Sequence, residues 1–320
     1  MLFSVIIPVY NRPLEIKELL ESLTLQTYKN FEVIIIEDGS LFTCEDILGQ
    51  FASDLNLSYF FVENMGQGFA RNYGMRHAKG DYFVLFDSDC IIPSQYFEIL
   101  STAIISGKLD AHGGPDAADQ NFSHFQKAIN YSMTSLLTTG GIRGKLKDPA
   151  TYQARGYNMG LSKLAFKKSG GFKDPNKAED IELSIRLKKM GFRLELIEEA
   201  FVYHKRKNTW KSFFKQSFSF GENRINVSRF HPDAVKFIHL MPSAFFLGWM
   251  IILFSYFVFK PLFFLGGAVY ALWMFLVLLE ATLHNRSISV GILSVFTSFS
   301  QLSLYGAGMI TEGIRKRIKG

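Results

Sequence analysis

Residues 237–259, 262–279 and 287–311 contain no Asp, Glu, Lys or Arg. Each run is close to or above the roughly 20 apolar residues that an α-helix needs to cross a bilayer's hydrocarbon core. A core helix of a soluble protein would need apolar residues on one stripe only, and these runs are apolar on every side. The chain is therefore expected to divide near His231-Pro232-Asp233 into a globular part, 1–232, and a membrane part, 233–320. The expected hydrophobic segments are about 237–259, 262–283 and 288–310.

Charge patterning gives these segments a direction. Lys205, Arg206, Lys207, Lys211, Lys215, Arg224, Arg229 and Lys236 precede the first run, and Arg315, Lys316, Arg317 and Lys319 follow the third. No nucleic-acid motif accompanies the net charge of +6, so these clusters read as a cytoplasmic face held against anionic lipid and not as a nucleic-acid surface. Only Lys260 and Pro261 part the first two runs, which reads as a helical hairpin with Lys260 outside. A third crossing would put Arg315–Lys319 outside, against the positive-inside bias, so an interfacial or re-entrant third segment is expected. Met1–Tyr10 lacks the basic start of a secretory leader, and Pro8 ends its apolar run early. The two cysteines, Cys44 and Cys90, form no disulfide framework or metal spacing, as suits a reducing compartment. The expected location is the inner (cytoplasmic) membrane, multi-pass, with the globular part facing the cytoplasm.

In the globular part, strand and helix patterns alternate. Leu2–Pro8, Phe31–Ile36, Leu57–Val62 and Tyr82–Phe86 read as strands. Pro13–Gln26, Glu45–Ala52, Gly68–Ala78, Pro93–Ile105 and Ala178–Met190 read as helices. Continuous apolar strands between helices argue for an α/β fold built on a parallel sheet. Residues 110–160 are less regular, and 139–154 look like a loop able to close over a site.

In a parallel sheet the loops after successive strands share one edge, where ligands bind. Here those loops carry Pro8-Val9-Tyr10-Asn11-Arg12, Glu37-Asp38-Gly39-Ser40, Glu63-Asn64-Met65-Gly66 leading to Arg71, and Asp87-Ser88-Asp89. Asp87 and Asp89 end a buried strand. They fit either an ordinary polar turn or a hard-ligand site for Mg²⁺ or Mn²⁺. Glu179 and Asp180 open a predicted helix, where acids are favoured by the helix dipole or serve as catalytic carboxylates.

SVIIPVYNRPLEIKELLESLTLQTYKNFEVIIIEDGS (4–40), NMGQGFARNYGMRHAKGDYFVLFDSDC (64–90) and GGFKDPNKAEDIELSIRLKKMGFRL (170–194) resemble, in order, the blocks of family 2 glycosyltransferases. The likeness spans roughly residues 3–205. It implies a GT-A fold, a mostly parallel sheet flanked by helices, here followed by C-terminal transmembrane helices. It also implies an inverting sugar transfer from a nucleotide-diphosphate sugar, a UDP-sugar by preference, to a hydroxyl acceptor. By the same resemblance Pro8, Val9, Tyr10, Glu37 and Asp38 contact the nucleoside, with Glu37 standing where the family usually has aspartate. Arg71 faces the diphosphate, and Asp87 touches ribose or metal. Asp89, with Asp87 and His204, holds a divalent ion, Mn²⁺ or Mg²⁺. Asp180 is the catalytic base, with Glu179 beside it.

The QxxRW motif of processive synthases is missing, since Ile225 follows Arg224. A membrane part beside such a domain points to a saccharide or lipid-linked acceptor. The alternatives are an inactive membrane scaffold that binds nucleotide sugar and a sugar nucleotidyltransferase. The latter should carry a glycine-rich loop after the first strand, where this chain has none.

Overall fold

A computed structural model of the chain describes residues 1–117, 122–139, 152–205 and 209–319. Most of the expected loop at 139–154, and Arg206 and Lys207 of the basic cluster, lie outside these residues. The chain forms two compact units, one of Met1–Asp119 with Leu146–Lys205, the other of Gln120–Lys145 with Arg206–Gly320.

The first unit begins β1 (Phe3–Val9), α1 (Pro13–Thr24), β2 (Phe31–Asp38), α2 (Glu45–Leu48), β3 (Leu57–Val62), α3 (Gln67–His77) and β4 (Tyr82–Phe86). It continues through β5 (Cys90–Ile91), α4 (Tyr96–Gly107), β6 (Ala111–Gly113) and β7 (Asp116–Ala117). The chain then supplies α5 (His124–Thr134) and α6 (Leu136–Thr139) to the second unit. It returns with β8 (Asn158–Ser162), α7 (Lys163–Ser169), α8 (Glu179–Lys189), β9 (Leu194–Leu196) and β10 (Val202–His204).

Among the described residues the main sheet has the order β3-β2-β1-β4-β8-β6-β9. Every neighbouring pair is parallel except those made by β8, which runs against both β4 and β6. Helices cover both faces, which explains strands that are apolar throughout. Val5, Ile7, Val33, Ile35, Val84 and Phe86 pack with Leu19, Leu23, Phe97 and Leu100 on one side. Ile6, Ile34, Ile36, Phe83 and Leu85 pack with Ala70, Met75, Leu183 and Leu187 on the other. Each such fully buried aliphatic side chain contributes about 1.5–3 kcal/mol.

The second unit holds α5, α6, α9 (Trp210–Asn226), α10 (Met241–Val258), α11 (Lys260–Asn285) and α12 (Ile288–Lys319). The boundary expected at 232 therefore falls inside this unit. The physical reason is that α5 and α9 pack on α12. Thr297 donates to the Ala128 carbonyl at 3.1 Å, and Ser132 donates to Gln301 Oε1 at 2.8 Å. Glycines let α9 and α12 approach closely: a β-carbon on Gly221 would lie 2.0 Å from the Tyr305 carbonyl oxygen. Helix α5 begins with a capping box in which Ser123 Oγ accepts from the Gln126 N–H and Gln126 Oε1 accepts from the Ser123 N–H.

Among the described residues three helices are long and apolar enough to cross a membrane: Phe237–Val258, Lys260–Asn285 and Ile288–Ile318. Of their apolar windows 0%, 6% and 44% of residues are fully buried, so the first two bury few residues completely, whereas the third buries a polar stripe against its neighbours. Ser294, Thr297, Ser298 and Gln301 are all buried. Helix α12 runs unbroken, so the third segment does not fold back on itself as a re-entrant loop would.

Candidate active site

The strand order places β1 and β4 side by side with β2 and β3 on the far side of β1, so the order reverses at the β1/β4 junction. The loops that leave the C-terminal ends of these two strands flank the crevice that such a reversal opens. Asn11, in the first loop, takes a left-handed backbone conformation (φ 54°) and stitches the loop to its neighbour. Its N–H donates to Ser40 Oγ at 2.7 Å, and its Oδ1 accepts from the Leu41 and Phe42 N–H groups at 2.8 and 3.0 Å. Pro8 is half-buried, Val9 buried and Tyr10 exposed on the rim. Arg12 reaches across the crevice to Asp89, with Nη1 2.7 Å from Oδ2.

Glu37 and Asp38 spend their carboxylates on the protein itself. Glu37 accepts from Ser40 Oγ and, at 2.8 Å, from the Cys44 N–H, and it has no exposed surface. The carboxylate of Glu37, expected to meet the base, is thus turned onto the chain's own groups. Asp38 accepts from the Met65 and Gly66 N–H groups at 2.7 and 3.0 Å, which ties the second loop to the third.

Arg71, expected to face the diphosphate, is held inside the fold. It is 1% exposed. Its Nη2 lies 2.5 Å from Asp87 Oδ1, its Nη1 lies 3.6 Å from Glu179 Oε1, and its guanidinium carbon is 5.6 Å from the centre of the Phe172 ring. A buried cation costs several kcal/mol unless paired. Two carboxylates and an aromatic face meet that need, and they join the acids after β4 to the acids that open α8.

Glu179 and Asp180 stand in the first turn of α8, after Ala178 in a left-handed conformation (φ 58°). They part in environment. Asp180 is half-buried, with Oδ2 accepting from the Gly156 N–H at 3.2 Å and Oδ1 from the Ile181 N–H at 2.7 Å. Glu179 is buried against Arg71 and accepts from Gln67 Nε2 at 2.5 Å. Burial, followed by the charge of Asp180, pushes the Glu179 carboxyl up to about 7 against the opposing pull of Arg71.

A small sheet, β5-β10-β7, builds the remaining corner. Antiparallel pairing sets His204 opposite Cys90, and parallel pairing sets Val202 opposite Asp116. His204 Nε2 is thereby 3.1 Å from Asp89 Oδ1, and Nδ1 is 3.7 Å from Asp116 Oδ2. Tyr157 stacks on the imidazole at 4.8 Å. One ligand atom each from Asp89, Cys90 and His204 lies within 4.8 Å of the others. Burial and the charges of Asp89 and Asp87 push the Cys90 thiol well up. The carboxylate and imidazole beside it fit a divalent ion such as Mn²⁺.

The structure thus gathers Asp87, Asp89, Arg71, Glu179, Asp180 and His204, and adds residues that carried no assigned role in the sequence. These are Arg12, Gln67, Asp116 and Gly156. Only Arg12 had a usable signal, as a cation in the loop after the first strand.

Residues 4–170, just over half of the chain, match the family model "Glycosyl transferase family 2". A Rickettsia felis protein described as an uncharacterized glycosyltransferase is 42% identical over 96 residues, 30% of this chain and 16% of its own length. Glycosyltransferase GlyA of Streptococcus pneumoniae is 36% identical over 108 residues, 33% of this chain and 16% of its own length. The matches thus span about a sixth of these relatives. Among solved structures, the Pyrobaculum calidifontis mannosyltransferase PcManGT, in complex with GDP-Man and Mn²⁺, superposes with a TM-score of 0.70 at 17% identity. That superposition covers 98% of this chain and 87% of PcManGT. S. aureus TarS 1–349, in complex with UDP-GlcNAc, gives 0.53 at 20% identity, covering 99% and 92%. These likenesses establish the GT-A fold, and the family match establishes that the chain belongs to glycosyl transferase family 2.

Proposed function

We propose that the protein is an inverting, membrane-anchored glycosyltransferase. It moves a sugar from a nucleotide-diphosphate donor, a UDP-sugar, to a hydroxyl of a lipid-linked saccharide or a cell-surface glycan. It works at the cytoplasmic face of the inner membrane, which it enters through the C-terminal helices. The observation that carries this reading is the Arg71 bridge, which joins Asp87 to Glu179 and so unites the metal-type acids and the α8 acids in one site.

In this reading Asp89 and His204, with Asp87, hold Mn²⁺ or Mg²⁺, which when bound neutralises charge on the departing diphosphate. Pro8, Val9, Tyr10 and Asp38 form the nucleoside wall. Asp180, half-buried beside the buried Glu179, takes the proton of the acceptor hydroxyl as it attacks the anomeric carbon. Arg71 acts through Asp87 and Glu179. The cocomplexes of PcManGT with GDP-Man and Mn²⁺ and of TarS with UDP-GlcNAc support a nucleotide-sugar donor.

The test measures nucleotide diphosphate release from UDP-, GDP- and dTDP-sugars with Mn²⁺ or Mg²⁺, for the wild type and Asp180→Asn. The reading expects release by the wild type with one donor class, and donor binding without turnover in the variant. Equal turnover in the two would overturn the role of Asp180. Binding without turnover in the wild type would favour a scaffold, and pyrophosphate release from a nucleoside triphosphate would favour a nucleotidyltransferase.

A further inference from the structure

Both oxygens of Asp89 are engaged by positive or protonatable groups of the chain itself. Arg12 Nη1 lies 2.7 Å from Oδ2 and His204 Nε2 lies 3.1 Å from Oδ1. The Arg12 pair spans the β1/β4 crevice, so it sits where a donor diphosphate would enter. Its backbone is fixed: Asn11 is stitched to the second loop, and Pro13 opens α1 immediately after it. The side chain is 32% exposed and carried on a jointed stem, so its head can be solvated without movement of the backbone. A guanidinium and a divalent ion on Asp89 Oδ2 would repel each other at close range, so each weakens the other's hold on that oxygen.

We infer that Arg12 is an exchangeable internal counter-ion of Asp89. A divalent ion displaces it, and the released guanidinium turns to the diphosphate of the donor. The inference rests on the metal-and-donor reading proposed above. With no anion present, the ion must draw Arg12 off Asp89, leaving it to water and to the charges of Asp87 and Glu15. With a diphosphate present, the expelled guanidinium finds two phosphate groups, to which it binds in a forked geometry. Metal and nucleotide therefore assist each other through Arg12, and the ion alone binds weakly. Arg71 plays no such part, since it is sealed from solvent and committed to Asp87.

The experiment follows free Mn²⁺ by electron paramagnetic resonance as full-length protein in detergent is titrated with MnCl₂, with and without UDP. Arg12→Gln should bind Mn²⁺ alone about two- to fivefold more tightly than the wild type, the range expected on releasing a partly exposed ion pair. It should also lose most of the tightening that UDP produces. Arg12→Lys keeps the cation and should retain weak binding of Mn²⁺ alone, which controls for a general disturbance of the loop. An Arg12→Gln protein with wild-type or weaker affinity for Mn²⁺ alone overturns the inference by itself. A wild type that takes up no Mn²⁺ with or without UDP overturns the metal reading and the inference with it.

Discussion

Gly156 lies so close to Arg71 that a β-carbon on it would sit 2.6 Å from Arg71 Nη1 and 2.9 Å from Nη2. The same glycine donates its N–H to Asp180. One residue without a side chain thus sets the position of the buried cation and of the proposed base together. Gly156→Ala should push the guanidinium off Asp87 and tilt the Asp180 contact. Turnover should fall about 10- to 100-fold, as expected for displacements near 1 Å, while the melting temperature drops by only a few degrees. Parallel nucleotide-release kinetics and thermal melts check this, and wild-type turnover in the variant would show that Arg71 has room to spare.

Glu179 links the site to stability. Its folded-state pKa of about 7 lies above the value near 4.5 of a solvated glutamate, so the folded state holds a proton that the unfolded chain has released. The sign follows directly. The stabilisation is fully present below about pH 4.5 and is lost as pH rises through 7. Glu179→Gln mimics the protonated form. It should therefore match the wild type in thermal stability near pH 4 and exceed it at pH 8, by on the order of 3 kcal/mol. A variant less stable than the wild type at pH 8 would mean that the ionised form is held comfortably by Arg71.

His112 supplies the opposite slope. It is fully buried between two tyrosines, with Tyr82 Oη 3.0 Å from Nδ1 and Tyr96 Oη 3.3 Å from Nε2. Tyr96 donates onward to Asn158 Oδ1 at 2.6 Å, and Asn158 Nδ2 donates to the Ala200 carbonyl at 2.8 Å. In this chain Tyr96 accepts from Nε2–H, and Tyr82 donates to Nδ1, so the neutral ring satisfies every member. Burial lowers the imidazole pKa to about 3. The unfolded chain then binds a proton from about pH 6.5 downward that the folded chain refuses, and stability falls with pH across that window, by about 4–5 kcal/mol at the full shift. His112→Asn should be less stable than the wild type at pH 7, with the gap narrowing by pH 4. Denaturant midpoints at the two pH values measure this, and a constant gap would count against the buried neutral ring.

The parts of this molecule that were legible in the sequence are those fixed by local pattern. Ile6, Ile34 and Leu85 sit in continuous apolar runs because helices cover both sheet faces, and such runs read as strands without any partner in view. Asp87, Asp89, Glu179 and Asp180 were legible because motif and spacing carry them. Strand β8 was not, since five residues that include Gly160 give no periodicity, and its reversed direction is decided by β4 and β6. Helix α5 had a signal in Ser123 and Gln126 that the surrounding glycines obscured. The inward turn of Glu37, the burial of Arg71 and the reach of Arg12 across 77 positions to Asp89 depend on tertiary packing, which no local pattern encodes.

The helical hairpin makes a prediction about sidedness. Helices α10 and α11 bury few of their apolar residues completely, and Phe259 and Lys260 form the short corner between them. If both cross, Lys260 emerges on the face opposite Arg286. The tail of α12 bears Arg315, Lys316 and Arg317, and Lys316 Nζ donates to the Ile225 carbonyl at 2.8 Å and to Ser228 Oγ at 3.1 Å, which binds this tail to the end of α9. The orientation proposed above, which follows the positive-inside bias, predicts Arg286, Arg317 and the end of α9 on the cytoplasmic side. Cys44 and Cys90 are buried, so single introduced cysteines report with little background. Lys260→Cys should react with a membrane-impermeant maleimide in intact cells, whereas Arg286→Cys and Arg317→Cys should react only after the membrane is opened. Labelling of Arg317→Cys in intact cells would instead mean that α12 crosses and carries its basic tail outside.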